Sequence, residues 1–576
     1  MSELKTTYEW STIPWRKLER KVFKLQKQIY RAACCGKRAK VRSLQRLLIK
    51  SWAARTLATR RVSQDNSGKK TAGIDGLKSL TPKQRLVLVE SLKRHQGKST
   101  PTRRVWIPKP GSSEEKRPLN IPTIFDRAKQ TLFKMALEPE WEAKFEPNSY
   151  GFRSGRSCHD AIGAIYLSIC HQPKWVLDTD ISKCFDQIAH QPLVKKLNTS
   201  PFIARQIRGW LKAGVMDNFN YFETSQGVPQ GGCLSPLLAN VALHGMEKHI
   251  ACTCKGAKVI RYADDLVVIH HSHKVIQQAQ QVLSQWLQKI GLELKPNKTR
   301  ICHTLNSVDG QVGFDFLGFH VRTYEASKYK SGKSMKGFKT IIQPSAAAIK
   351  RQSQKLGEVM KNHSAAPQAA LIDHLNPIIR GWSAYYSSQC SKEAYSHLDF
   401  LLYQKLRAWA KRRHPNKTGH WIASRYWLVN SGGGWVFASK QDNKLPRLVR
   451  HNETPIVRHI KVQGCRSPFD GDWSYWAKRM GKHPELHSQI TKLLKQQKGK
   501  CHECGLHFQL SDLMEVHHLD GNHNHNKWGN LALLHQHCHD QVHQGMHDKH
   551  QVAEEPDESN GSRPVLQTSR RGDSPA

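Results

Sequence analysis

WVLDTDISKCFD (Trp175 to Asp186) and VIRYADDLVVI (Val259 to Ile269) are the two stretches that decide the fold. The first opens as an apolar strand and ends in carboxylates, and strand alternation puts Asp178 and Asp180 on one face. The second is a pair of apolar strand halves interrupted by Asp264 and Asp265, the pattern of a hairpin with carboxylates at its tip. Taken alone, an Asp-Asp pair is more often an exposed turn. Inside an otherwise apolar strand it is costly unless a cation compensates it. Carboxylates from separate strands that hold two Mg²⁺ ions, about 3.5–4 Å apart, are what two-metal nucleotidyl transfer requires.

Bulk properties favour the same chemistry. Lys and Arg number 90 against 46 Asp and Glu, and a formal charge of +44 repels itself unless a polyanion is the usual partner. Nucleic acid fits that role. An acidic membrane surface fits less well, because no apolar run approaches ~20 residues and no signal-peptide core follows Met1. A soluble, intracellular protein is expected. The 14 cysteines are scattered, and Cys170, Cys184 and Cys233 sit in apolar contexts that suit free thiols rather than a disulfide framework. At ~150 residues per domain, 576 residues allow about four cores.

Apolar residues at three- and four-residue spacing (Leu18, Val22, Leu25, Ile29, then Val41, Leu44, Leu48) among many Lys and Arg predict a basic helical arm over 1–61. Residues 62–76 are Gly-rich and polar and read as a linker or flexible loop, and a mixed α/β region runs on to about 325. Helices are expected at roughly 345–362, 367–388 and 392–413, within a helical unit over 344–435. A basic region with Trp473 and Trp476 covers 436–497. A Cys/His-rich unit spans 498–545, and 551–576 has a disordered composition.

The order and wording of several blocks resemble the reverse transcriptases encoded within bacterial and organellar group II introns. WIPKPGSSEEKRPLNIPTIFDR (Trp106 to Arg127) is similar to the fingers segment and YGFRSGRSCHDAI (Tyr150 to Ile162) to the next block. QGVPQGGCLSPLLAN (Gln226 to Asn240) resembles the segment that supports template and incoming nucleotide. GLELKPNKT (Gly291 to Thr299) and FDFLGFHV (Phe314 to Val321) resemble the closing palm blocks. LNPIIRGWSAYY (Leu375 to Tyr386) is similar to the family's thumb, the maturase or X domain, where Arg380, Trp382, Tyr385 and Tyr386 could pack a core and also contact RNA.

The resemblance implies a multidomain α+β protein: right-hand-like fingers and palm over 62–325, a helical thumb, and a small zinc-stapled ββα-metal nuclease module. It implies Asp180, Asp264 and, less directly, Asp265 as metal-binding carboxylates, with the Ile181 carbonyl as a backbone ligand and Asp178 beside the site. Phe185 falls where the family crowds the nucleotide 2′ position. Lys109 and Arg117 match positions that grip the triphosphate, and Gln230 lies in a Gly-Val-Pro-Gln-Gly turn that lets backbone approach nucleic acid.

Near the C-terminus, Cys501-His-Glu-Cys504 and His535-Gln-His-Cys538 form two ligand pairs about thirty residues apart, which suits a structural Zn²⁺ with Cys₃His coordination. His537 could replace His535. The histidines around these pairs resemble the HNH endonuclease pattern. That likeness implies His518 as general base and His517, His539 and His543 as ligands of a divalent ion, with Asn530 orienting the base or holding the loop.

Together these features imply an RNA-directed DNA polymerase that assists splicing of its own group II intron RNA, nicks double-stranded target DNA, and extends the new 3′ end with deoxynucleoside triphosphates. The expected location is cytoplasmic and nucleoid-associated in a bacterium, or organellar. A splicing factor with idle enzyme sites and a reverse transcriptase of a retron-like or diversity-generating lineage are the competing readings. The intact carboxylates and histidine pair count against the first, and the thumb and nuclease segments against the second.

Overall fold

The computed structural model describes residues 9–93, 99–108, 115–325, 337–429, 434–439, 446–480, 486, 488–508, 512–523 and 525–551. At its centre is a four-stranded antiparallel sheet, in spatial order Lys258–Tyr262, Asp265–His270, Trp175–Asp180 and Arg300–His303. Its two faces lie in different cores. Leu177, Leu266 and Val268 join one, and Val176, Val267 and Ile269 join the other. That is why these strands read as nearly unbroken apolar runs rather than as alternation. The helix His273–Gln288 covers one face through Ile276, Ala279, Leu283 and Leu287, and Cys158–Ile169 supplies Ile162 and Ile165 to the other core. The apolar character stops at Asp180 and at the hairpin tip, so the carboxylates emerge together at one end of the sheet.

A second four-stranded sheet lies within the region expected to form fingers and palm, in order Lys116–Ile121, Thr102–Pro108, Val215–Asp217 and Asn220–Phe222. The N-terminal helices Trp15–Cys34, Arg38–Lys50 and Trp52–Arg60 pack on the helix Ile124–Glu142 and share its core. Leu18, Val22, Ile29, Leu48 and Leu57 are buried with Leu132, Phe133 and Met135. Gln26 donates to the Met135 carbonyl (3.0 Å) and Gln45 to the Glu140 carboxylate (2.7 Å). The expected arm is therefore continuous with the core on one face of the central sheet.

Residues 62–76 also differ from the expected linker. Arg61–Asp65 is a π-helical turn and Ser67–Lys70 a 3₁₀ turn. The Arg127 guanidinium donates to the carbonyls of Gly68 (2.8 Å) and Thr71 (2.6 Å). Gly73 lies so close to the Thr123 backbone that a Cβ there would sit 2.7 Å from it. A distant arginine fork pins the segment, which local composition does not reveal.

Beyond a three-stranded sheet (Phe314–Phe316, Phe319–Glu325, Phe338–Pro344), the helices Ala346–Asn362, Gln368–Tyr386 and Lys392–Arg413 appear where periodicity places them. Tyr386 is buried and Tyr385 stacks on Phe319 at 5.4 Å, so these rings pack the thumb base while Arg380 stays exposed.

Part of the basic region returns to the palm. Asp160, fully buried, accepts hydrogen bonds from the Val462 amide (2.7 Å), His459 Nε2 (3.0 Å) and Arg479 (2.5 Å). The Trp476 ring covers Gly155, where a Cβ would approach it to 2.7 Å.

The C-terminal unit is a ββα arrangement of Met514–His518, Leu531–His535 and Gln536–Gln551 around Phe508, Leu531 and Leu533. It rests against the first helix, with His537 Nε2 3.6 Å from Glu19. Among the described residues no helix is long and apolar enough to cross a membrane. Lys109 and 552–576 lie outside the described residues.

Candidate active sites

Asp180 pairs with Asp265 across adjacent strands, and the Ile181 amide donates to the Asp264 carbonyl (3.3 Å). Two distant stretches thus bring three carboxyl groups together. Burial and then the neighbouring Asp264 and Asp180 push the Asp265 carboxyl up to about 7, and Asp264 is raised for similar reasons, with Arg117 near enough to pull it partly back. Such crowding is unfavourable without a cation. Lys298, from the GLELKPNKT block, supplies one charge by donating to Asp180 at 2.7 Å. The donor set is hard oxygen and suits Mg²⁺. Asp178 instead takes Arg300 at 3.1 Å, and burial raises it to about 6. A cavity of about 330 Å³ opens beside Asp178, Asp180, Asp265, Lys298 and Asp315.

Phe185 is half-buried and meets Phe152 edge-on, with centroids 6.0 Å apart, while its carbonyl accepts from the Val228 amide (2.6 Å). Gln230 Nε2 donates to both Asp186 oxygens at 3.1 Å, and its carbonyl accepts from the Asn120 amide (2.6 Å). The turn is tight enough that a Cβ on Gly231, at φ +102°, would sit 2.7 Å from the Asn120 oxygen. The Asn120 strand, the Phe185 segment and the Gly-Val-Pro-Gln-Gly turn therefore converge on one wall next to the carboxylates.

In the C-terminal unit, ligand atoms of Cys501, Cys504, His535 and Cys538 lie within 4.8 Å of one another, a group that could hold a metal ion. His535, not His537, belongs to it. His537 faces Glu19 and Arg60, and burial followed by the Arg60 charge drives it down to about 2. His517, His539 and His543 form a second group of the same tightness. His518 Nε2 meets Asn526 Oδ1 at 3.1 Å, and its enclosed Nδ1 has no hydrogen-bond partner among the described residues. Asn530 accepts from the Asp520 amide (3.1 Å) and donates to the Asp520 carboxylate (2.7 Å) and the His525 carbonyl (2.9 Å). These contacts tie Asn530 to Asp520 and His525.

Several residues escape a reading of the sequence alone. Lys298 lies in a quoted block but carries no local signal of its contact with Asp180. Asp512 faces His535 Nε2 at 3.3 Å and Glu515 faces His539 Nδ1 at 2.9 Å, so each candidate metal group has a carboxylate holding one histidine from outside. A carboxylate two or three residues before the His-His pair is the only local hint.

Family models match in the order of these units. The N-terminal domain of reverse transcriptase matches 10–92, Reverse transcriptase (RNA-dependent DNA polymerase) 107–321, Group II intron, maturase-specific domain 349–427, and HNH endonuclease 501–545. Protein YkfC of Escherichia coli (strain K12) is 34% identical over 242 residues, covering 40% of this chain and 62% of that protein. Group II intron-encoded protein LtrA of Lactococcus lactis subsp. cremoris is 25% identical over 544 residues, 79% of this chain and 86% of the relative. Maturase-like protein 1 of Euglena gracilis is 28% identical over 387 residues, 65% and 76% respectively.

Fold, carboxylate cluster and these matches define a reverse transcriptase carrying an HNH endonuclease domain. With the maturase-specific domain between them, the chain belongs to the multifunctional group II intron-encoded proteins.

Proposed function

We propose that this chain binds its own intron RNA, nicks one strand of a double-stranded DNA target, and extends the 3′ end by copying the RNA. The observation that carries the polymerase assignment is the meeting of Asp180 with Asp264 and Asp265 at one end of the central sheet. Two Mg²⁺ ions held by these carboxylates, with the Ile181 carbonyl, would activate the primer 3′-hydroxyl and neutralise the leaving pyrophosphate. Arg117 and Lys109 grip the triphosphate, the first as a bidentate fork and the second as a point charge. The Phe185 ring, which meets Phe152 edge-on, is the group that would crowd a 2′-hydroxyl. Gln230, tied to Asp186, holds the turn under the incoming base pair.

In the nuclease module, His517, His539 and His543 would hold a divalent ion, which would supply stabilisation of the charge developing on the cleaved phosphate. His518, anchored through Nε2 to Asn526, takes the proton from water at Nδ1. Cys501, Cys504, His535 and Cys538 would hold a structural Zn²⁺ at the start of the helix that presents His539 and His543. The RNA performs the splicing chemistry, and the thumb and N-terminal helices hold its fold.

Primer extension on an RNA template tests the polymerase reading. The unmodified chain extends the primer with deoxynucleotides and Asp264→Ala does not; equal extension by both would reject it. His518→Ala is expected to lose nicking and keep extension, and full nicking by that variant would remove His518 as the base.

A further inference from the structure

The hairpin that carries Asp264 and Asp265 turns through only Ala263 and Asp264, and Ala263 adopts φ +57°. The left-handed region costs an L-residue other than glycine about 1–2 kcal/mol. Something must hold the turn there.

Arg261 does so from beneath. It is almost fully buried, and its guanidinium donates to the Ala263 carbonyl (2.9 Å), to Asn240 Oδ1 (3.0 Å) and to Ser149 Oγ (2.6 Å). Asn240 closes the circuit by donating through Nδ2 to the Gly151 carbonyl (2.8 Å). Gly151 in turn presses on the turn itself, where a Cβ would lie 2.4 Å from the Ala263 nitrogen. Backbone bonds from the Arg261 amide to the Asn148 carbonyl and from the Tyr150 amide to the Arg261 carbonyl, both 2.9 Å, add a short parallel bridge.

Among the described residues no carboxylate is paired with the guanidinium, and burial, only partly offset by Glu146 nearby, pulls Arg261 down to about 10, still charged at neutral pH. A buried cation without an ion-pair partner is expensive. A lysine would bring a more strongly hydrated charge that costs more to bury, and only a planar fork reaches three acceptors in fixed directions.

We propose that Arg261, with Asn240, Ser149 and Gly151, is the positioning clamp of the polymerase metal site. It sets the geometry with which Asp264 and Asp265 meet divalent ions, and touches neither substrate nor ion. The proposal rests on the assignment of Asp180, Asp264 and Asp265 as the ion-binding carboxylates.

The test is Mn²⁺ binding, followed by electron paramagnetic resonance, to the full chain on a primer–template, in a His539→Ala background that silences the nuclease ion. Arg261→Lys should weaken Mn²⁺ binding about tenfold, the usual scale for losing a group that orients a ligand. The Mn²⁺ requirement of extension should rise in parallel, with the KM for deoxynucleotide unchanged at saturating Mn²⁺. Mn²⁺ affinity equal to the parent's in the folded variant would overturn the clamp, whatever happens to activity. If Arg261→Lys does not fold, Ser149→Ala, which removes one of three acceptors, should still weaken binding about threefold; unchanged affinity overturns the proposal equally. Asp264→Asn in the same background separates the two levels. If it leaves Mn²⁺ binding intact, the carboxylate assignment falls. If it abolishes binding while Arg261→Lys does not weaken it, only the clamp falls.

Discussion

Three carboxyl groups crowd together at the end of the central sheet, where burial and mutual repulsion disfavour the charged forms of Asp264 and Asp265 and a cation would relieve the cost. Asp265, raised to about 7, holds a proton in the folded state that it would lose when unfolded at the same neutral pH. Metal-free stability should therefore fall as pH rises from ~4 through ~7, and Mg²⁺ should reverse the trend by replacing the proton. Asp265→Asn removes part of the repulsion. Its metal-free melting temperature at pH 8 should exceed the parent's, while extension drops about 10²–10³-fold or more; calorimetry and primer extension on one preparation check both. Phe185→Ala should relax discrimination against ribonucleotides by roughly tenfold or more, read from competing deoxy- and ribonucleotide incorporation. Unchanged discrimination would leave Phe185 a packing residue only.

At the scale of elements, much was legible because it is local. The apolar run of Trp175–Asp180 and the interruption at Asp264 follow from strand periodicity, and the thumb helix Gln368–Tyr386 follows from the spacing of Leu371, Leu375, Ile378 and Trp382, although Ile379 rather than Ile378 is the fully buried residue. What was not legible is set by partners far along the chain. Arg127 pins 67–71, Lys298 reaches Asp180, and the 455–480 segment folds back onto Asp160, each across contacts that no window of sequence contains. The choice of His535 over His537 was equally invisible, since both sit in one short run and only packing against Glu19 and Arg60 separates them.

The Asp160 junction carries its own pH signature. His159, buried beside it, bonds through Nε2 to the Tyr385 carbonyl at 2.7 Å, and burial lowers it to about 4. The unfolded chain takes up this proton near pH 6.5 and the folded chain does not, so stability present above ~6.5 is lost as pH falls toward ~4. The drop in melting temperature between pH 7 and 5 should be smaller in His159→Gln than in the parent. In the C-terminal unit, zinc chelation should melt 498–545 and abolish nicking, because the ββα core is small and the Cys₃His group anchors its helix. A melting profile indifferent to the chelator would contradict a structural ion there.

On the scale of the whole molecule, the nuclease is seated against the N-terminal helices, and those helices share the polymerase core. Cutting and copying thus occur on one connected body, which fits a nick that becomes the primer. A net charge of +44 spread over that body implies binding dominated by phosphate contacts. If six or more are made, nucleic-acid affinity should fall about 10³-fold between 50 and 200 mM salt. A shallow salt slope in a filter-binding series would show that fewer charges engage.

The central claim is that carboxylates from two separate stretches enclose divalent ions at a polymerase centre. Anomalous diffraction from crystals of the full chain with primer–template, an incoming deoxynucleotide and Mn²⁺ tests it most directly. Two Mn²⁺ peaks are predicted in contact with Asp180 and Asp264, and no such peaks with Asp264→Ala. Manganese bound elsewhere while those carboxylates stay bare beside a well-ordered primer end would contradict the account.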